Sequence, residues 1–256
     1  MTTLPTIGFI GLGNLGWNVA HQFGVHDIPI SQMVVRNADH AARLSEEFQC
    51  EVLTHPSDLD LTLDIVFITV SDDQINSVIA QLSPNLKAAI VHCSGSQEIP
   101  KHSNKTGVLY PFQTFTKGYR ANWQDVHVFV DAEDDSLAET LLQLAHIIAK
   151  NTLRVSTEQR KAIHLSGVFA CNFTNHLLTQ ASQLLSNKQL DFDILKPLVA
   201  ETIFKAFDKG PFESQTGPAR RRDSKLIKSH LDLLSEDDNA QSIYKLISES
   251  IMQTYS

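Results

Sequence analysis

Apolar residues along this chain follow two rhythms, and the change between them falls near residue 155. Before it, short apolar runs bounded by turn residues alternate with stretches whose apolar positions recur at helical spacing. Residues 6–10, 32–35, 64–70, 88–93, 108–110, 126–130 and 152–155 read as strands. The 64–70 run is apolar nearly throughout, as expected of a strand covered on both faces. The 108–110 run is short and stops at Pro111. Helices are predicted over about 15–23, 38–48, 71–81 and 136–150, the third capped by Ser71-Asp72-Asp73. Such alternation predicts the α/β class, with a doubly wound, Rossmann-type sheet.

Beyond residue 155 the pattern is helical. Ser156-Thr157-Glu158-Gln159 is a capping-box sequence, and the helix it opens runs to about 187. The middle of that helix, 162–185, is apolar on most faces, which predicts a central buried element. Further helices are expected over about 192–207, 223–234 and 240–254. The chain therefore reads as a Rossmann domain over 1–155 and an all-helical domain over 156–256, without repeats or a low-complexity linker.

The join between the first strand and the first helix carries the clearest chemistry. Gly11-Leu12-Gly13-Asn14-Leu15-Gly16 spells G-x-G-x-x-G in a strand–turn–helix setting, with a second strand following as a βαβ unit requires. Gly11 makes the tight turn, Gly13 lets the backbone approach a pyrophosphate, and Gly16 lets helix and strand pack closely. The first-turn N–H groups at Asn14, Leu15 and Gly16 then point at the phosphates. In NAD sites a carboxylate about 20 residues further on binds the ribose 2′-OH. Here the second strand ends in Arg36-Asn37, without a carboxylate. A guanidinium is a fork suited to phosphate, so NADP is the expected cofactor. The alternative is an ordinary solvated arginine, with Asn37 as N-cap of the next helix; both can hold together, and the NADP reading is favoured. Ligands of doubly wound sheets lie outside the carboxyl ends of the strands, where Val70, Ser71, Asp72, Ser94 and Gly95 also fall.

Composition narrows the partners. A formal charge of −8 argues against a nucleic-acid or anionic-membrane surface. No apolar run is long enough to span a bilayer, and the polar start Met1-Thr2-Thr3 is not that of a secretion signal. Cys50, Cys93 and Cys171 form no C-x-x-C pair, so reduced thiols in a cytoplasmic protein are expected. Cys93 and Cys171 read as packing residues rather than nucleophiles. The eleven histidines show no zinc spacing, and no metal site is expected.

Reduction of a carbonyl or imine needs a hydride and a proton donor. His164, early on the long apolar helix, is the first candidate for the donor, because histidine exchanges protons near neutral pH. His164, Val168, Cys171, Asn172 and Asn175 share one helical stripe, which would set Asn172 to bind a substrate oxygen or a nicotinamide amide. Both could instead be buried polar groups satisfied by neighbouring backbone. Ser94 offers a substrate-binding hydroxyl, or simply a Ser-Gly-Ser turn. Arg220-Arg221-Arg222 could hold an acidic group, but a solvated helix-start cluster paired with Asp223 is the favoured reading.

Four further segments carry a resemblance: His92-Cys93-Ser94-Gly95-Ser96, Tyr110-Pro111-Phe112-Gln113-Thr114-Phe115, His164 with Ala170-Cys171-Asn172-Phe173, and Thr216-Gly217-Pro218-Ala219-Arg220. With the glycine fingerprint, their order resembles the 6-phosphogluconate-dehydrogenase-like superfamily, which includes pyrroline-5-carboxylate, ketopantoate and deazaflavin-dependent NADP reductases. More closely, it is similar to oxidoreductases that join a Rossmann-like domain to domain of unknown function 2520. Tyr110 stands where such relatives commonly show histidine, and Cys171 where they show serine. The resemblance implies an NADP-dependent oxidoreductase acting on a small-molecule carbonyl, hydroxy or imine substrate, and a homodimer formed through the helical domain. An imine reductase of the pyrroline-5-carboxylate type and a non-catalytic NADP-binding sensor are the alternatives, since a fold alone does not fix function.

Overall fold

The structure is a computed structural model and describes residues 4–37, 39 and 41–255. The chain divides into two compact units, Met1–Val168 and Phe169–Ser256. The first is built on one eight-stranded sheet. Its strands are β1 Ile7–Ile10, β2 Ile30–Val34, β3 Glu51–Leu53, β4 Ile65–Ile68, β5 Ala89–His92, β6 Thr106–Phe112, β7 His127–Ala132 and β8 Asn151–Arg154. Their order across the sheet is β3-β2-β1-β4-β5-β6-β7-β8. All neighbours run parallel except β6 and β7, which are antiparallel. The chain leaves β1 toward β2 and later returns to β4 on its other side. That reversal is the switch point at which doubly wound sheets open a crevice for ligands.

Alternation along β1 builds both faces. Ile7 and Phe9 point into a core shared with helix α1 (Asn14–Val25), where Phe9, Phe23 and Phe67 form a mutual cluster with ring centroids 5.2–5.7 Å apart. Ile10 points the other way, to Val66, Ile68, Ile90 and Ile75 of the short helix α3 (Ile75–Ile79). Each fully buried phenylalanine or isoleucine here stabilises by about 1.5–3 kcal/mol. The remaining helices of this unit are α2 (Ala41–Phe48), α4 (Asp135–Ile148) and α5 (Thr157–Gly167). The expected capping box is present: Ser156 Oγ accepts the Gln159 N–H, and Gln159 Oε1 accepts the Ser156 N–H.

The strand thought to stop at Pro111 continues to Phe112. It pairs with β5 only over Thr106–Val108, so among the described residues Pro111 has only β7 beside it and a missing N–H is tolerated. The helix predicted over 71–81 is a 3₁₀ turn at Asp72–Gln74 followed by α3, and the Ser71 side chain does not cap it. Strand β3 escaped the pattern, being three residues of a sheet edge. Helix α2 opens at Ala41, and Ala38, its predicted start, lies outside the described residues. Asn37 Oδ1 accepts the Asp39 N–H at 2.8 Å, four residues ahead of α2.

The second unit is helical: α6 (Thr174–Ser186), α7 (Lys196–Lys209), α8 (Pro211–Ser214), α9 (Ser224–Leu233) and α10 (Asp238–Thr254). The single long helix expected from Ser156 is interrupted by a π-helical segment, Val168–Phe173, between α5 and α6. Nor is its middle buried: α6 has no buried residue, and Leu165, Phe169, Phe173, Leu177 and Leu184 are exposed. Apolar residues spread over all faces of one helix need more covering surface than a small helical unit supplies. Cys171, expected to pack, is exposed in the π segment. The arginine cluster does not pair with Asp223. Asp223 caps α9, while Arg222 donates to the Met252 carbonyl and Arg220 lies 4.7 Å over the Tyr255 ring, at the carboxyl end of α10.

Candidate functional site

A cavity of about 390 Å³ opens at the switch point, over the carboxyl ends of β1, β2 and β4. Gly11, Gly13, Arg36, Asn37, Val70 and Ser71 of the predicted set line it. Each glycine behaves as its place in the fingerprint requires. Gly11 has φ +88°, a left-handed turn that side chains resist. A Cβ on Gly16 would collide with Thr69 Oγ1 and sit 2.9 Å from the Gly11 carbonyl oxygen, so α1 crosses against the end of β4. Thr69 Oγ1 in turn donates to that carbonyl at 2.6 Å, holding the loop in shape. A Cβ on Gly13 would meet nothing within 4 Å, leaving clear space in front of the loop.

Two further cations line the same cavity, and the sequence reading passed over both. Arg43 sits on α2, seven residues after Arg36, on the polar face of a short amphipathic helix. Lys117 comes from the β6–β7 connection, a segment without periodicity to mark it. Its backbone N–H donates to Asn14 Oδ1 at 3.1 Å and its ammonium to the Leu12 carbonyl at 3.3 Å. Among the described residues the lining holds three cations and no carboxylate. A cavity with that charge, a glycine loop and open space at Gly13 fits a dinucleotide whose ribose carries a phosphate in addition to the pyrophosphate. Asn14 and Leu15 open α1 behind Gly13. A larger cavity of about 850 Å³, lined by Leu4, Asp64, Ser136 and His146, lies toward the amino ends of β1 and β4, away from where such sheets take ligands.

Past β5 the chain makes the Ser94-Gly95-Ser96 turn, and its contacts lead from the cavity to a tyrosine–histidine pair. Ser96 Oγ donates to Asp72 Oδ2 at 2.5 Å, next to Ser71 of the cavity wall. Ser94 is buried, and its hydroxyl accepts the N–H groups of Ser96 and Gln97, both at 3.1 Å. Those are the bonds that a Ser-Gly-Ser turn makes. Gly95 is buried against the pair: a Cβ there would lie 2.7 Å from His164 Nδ1 and 2.8 Å from the Tyr110 hydroxyl. Tyr110 Oη and His164 Nδ1 are themselves 3.0 Å apart. Burial, reinforced by the Asp72 carboxylate, pushes the Tyr110 phenol up to about 12.

Below the pair lies a buried ion pair that composition alone does not reveal. Arg160 has no exposed surface; it donates to Asp131 Oδ2 through Nε and Nη2 and to the Ser94 carbonyl through Nη1. Thr157 Oγ1 donates to the same carboxylate oxygen at 2.7 Å. One network thus ties β7, the start of α5 and the turn after β5. His92 is buried and neutral: its Nδ1 accepts the Ser94 N–H, leaving Nε2 to donate to the Glu98 carbonyl. Burial pushes its imidazole down to about 4. Cys93, fully buried, has its thiol pushed up by the same cause. Asn172 is exposed in the π segment of the second unit, where a helical stripe from His164 cannot keep its period. Among the described residues no group of histidine, cysteine and carboxylate side chains has metal-site geometry.

The family model described as NADP oxidoreductase, coenzyme F420-dependent, matches residues 6–91. The model of domain of unknown function DUF2520 matches residues 126–251. A solved structure from Bacteroides fragilis, described as "putative NADP oxidoreductase", is 31% identical over 98% of both chains, with a TM-score of 0.89. The chain belongs to this NADP oxidoreductase family. More distant structures share the fold of this oxidoreductase. A reductive aminase from Aspergillus terreus is 14% identical, covering 98% of this chain and 95% of its own, with a TM-score of 0.71. A 1-pyrroline-5-carboxylate reductase from Streptococcus pyogenes is 11% identical over 98% and 99% of the two chains, with a TM-score of 0.60. No curated protein matches the chain significantly in sequence.

Proposed function

We propose that this NADP oxidoreductase moves hydride between NADP(H) and a small carbonyl, hydroxy or imine compound, with His164 as the proton donor. The observation that carries the reading is the path of contacts from the cationic cavity, through Asp72 and Ser96, to the Tyr110–His164 pair. The glycine loop receives the pyrophosphate, and Arg36 and Arg43 receive the 2′-phosphate. Lys117 closes over the loop from the β6–β7 connection. Bound NADPH supplies the hydride. His164 hands a proton to the substrate heteroatom that takes up the electron pair. Consumption of NADPH across a panel of small keto acids, ketones and imines tests this directly. The imine members belong in it because the Aspergillus terreus enzyme is a reductive aminase and the Streptococcus pyogenes enzyme a pyrroline-5-carboxylate reductase.

The same proposal includes a homodimer formed by the helical unit. Its support is the apolar surface that unit leaves open, with Phe204, Leu198 and Phe207 exposed, the last by 86%. Large apolar side chains left open on a helical unit are what a second chain would cover. Light scattering at micromolar concentration is expected to give twice the chain mass, and a monomer would refute it. Free thiols at Cys50, Cys93 and Cys171 suit the reducing cytoplasm, where we place the protein. Among the described residues no helix is long and apolar enough to cross a membrane.

A further inference from the structure

We infer that Lys117 is a pyrophosphate ligand of the dinucleotide site, carried to the glycine loop on a strap formed by the β6–β7 connection. The inference rests on the reading of the 11–16 loop as the pyrophosphate site and adds a cation that the loop itself lacks.

Three hydrogen bonds lay the strap onto the loop and the start of α1. Its tip is a tight turn, Thr116-Lys117-Gly118-Tyr119, closed by the Tyr119 N–H donating to the Thr116 carbonyl at 3.2 Å. Gly118 takes φ +84° at the third position, where such a turn needs glycine. The Thr116 carbonyl also accepts from Nδ2 of Asn18, a buried residue of α1, at 3.2 Å. The Lys117 N–H donates to Asn14 Oδ1, inside the fingerprint itself. On either side of the tip, Phe115 and Trp123 pack ring to ring at 5.5 Å, and Trp123 belongs to the core. The strap is held at its base as well as its tip.

The side chain lands where the loop leaves room. Lys117 Nζ donates to the Leu12 carbonyl, the peptide that leads into Gly13, and a Cβ on Gly13 would meet nothing within 4 Å. That single bond uses one of the ammonium donors, and the others remain for phosphate oxygens. The charges agree. Lys105, Lys161, Lys196 and Lys205 each pair with a carboxylate, whereas among the described residues no carboxylate pairs with Lys117. Glu47 lines a cleft that shares Arg43 and Lys117 with the cavity, but its carboxylate is engaged by Trp17 and His21. A compact ammonium beside the loop supplies a full charge that backbone N–H groups do not. Arg36 and Arg43 come from the end of β2 and from α2, while Lys117 touches the glycine loop itself. Its ligand is therefore the pyrophosphate and not the 2′-phosphate.

Nucleotide fragments tell the two phosphates apart without turnover. The full chain is titrated calorimetrically with NADPH, NADH, ADP, which has a pyrophosphate but no 2′-phosphate, and 2′-AMP, which has the reverse. Lys117→Ala is expected to weaken NADPH, NADH and ADP alike, by about tenfold, the worth of one charge-assisted hydrogen bond, and to leave 2′-AMP unchanged. Arg36→Glu should give the opposite pattern. Lys117→Arg, which keeps the charge, should recover most of the loss. Lys117 is exposed, so the parent's Tm is expected in both lysine variants. Asn14→Ala, which frees the tip of the strap, should lower ADP affinity by less than Lys117→Ala does. The double variant should then bind ADP no worse than Lys117→Ala alone, and additive losses would overturn the positioning role of Asn14. Unchanged ADP affinity in Lys117→Ala, or a loss confined to NADPH and 2′-AMP, overturns the inference. Gly13→Val separates that failure from failure of the loop reading. ADP binding abolished by Gly13→Val but untouched by Lys117→Ala defeats the lysine alone, whereas ADP binding that survives both defeats the loop reading with it.

Discussion

Arg160 Nη1 donates to the Ser94 carbonyl at 2.9 Å from a position with no exposed surface, so the helix that carries His164 is bolted to the turn that carries Gly95. The guanidinium is balanced by Asp131 on β7, whose carboxylate is nearly as buried. Breaking one side of such a pair leaves a buried charge uncompensated. Asp131→Ala is therefore expected to destabilise the first unit by about 3–5 kcal/mol. Urea denaturation checks this, and a loss below about 1 kcal/mol would mean that the pair is solvated.

The glycines of the first turn should separate binding from folding. Gly13 faces open space, so Gly13→Val is expected to abolish NADPH binding with only a modest drop in Tm. Gly16 faces Thr69 and the Gly11 carbonyl, so Gly16→Val should lower Tm strongly as well. Calorimetric titration and thermal scans of the two variants make the comparison. NADPH binding that survives Gly13→Val would remove the pyrophosphate from this loop.

Cofactor preference rests on Arg36 and Arg43. Loss of a charge-assisted phosphate contact costs on the order of 1.5–3 kcal/mol. Arg36→Glu should weaken NADPH binding about tenfold or more and spare NADH, and Arg43→Ala should act in the same direction. Equal affinity of the unmutated protein for NADH and NADPH would contradict the assignment.

His92 predicts an acid limb of stability. Its imidazole, ordinarily at 6.5, is pushed down to about 4 by burial, which outweighs the raising effect of its hydrogen bond to the Glu98 carbonyl. Between those values the unfolded chain binds a proton that the folded chain refuses. Stability from this residue is complete above about pH 6.5 and falls as pH drops toward 4, by about 3 kcal/mol in all. Unfolding free energies over pH 4–7 in His92→Gln should show a shallower fall than in the parent. Parallel curves would assign the acid limb to other groups.

What the sequence made legible was local. The glycine fingerprint, the carboxylate-free end of β2 and the capping box at Ser156 all hold their meaning within a few neighbouring residues; Gly11 makes its left-handed turn, Gly16 its close approach, and Ser156 and Gln159 their reciprocal bonds. The Asp131–Arg160 pair was hidden because 29 residues separate its partners and each looks like an ordinary surface charge in sequence. Lys117 was hidden because it lies in a loop that only the folded sheet brings over Leu12. The π segment at Val168–Phe173 defeated the stripe argument because apolar spacing does not reveal one extra residue in a turn. Pro111 misled because its effect depends on where β5 ends, a property of a different strand.

Proton delivery by His164 is the central step of the proposed NADPH-dependent reduction. The most direct measurement is NADPH oxidation over a panel of small carbonyl and imine compounds, run in parallel for the parent and His164→Ala, with NADPH affinity titrated in both. The expected result is turnover of at least one panel member by the parent, a loss of roughly 10²–10⁴ in His164→Ala, and equal NADPH affinity. Tight NADPH binding with no turnover of any panel member would contradict it and leave a nucleotide-binding protein without catalysis.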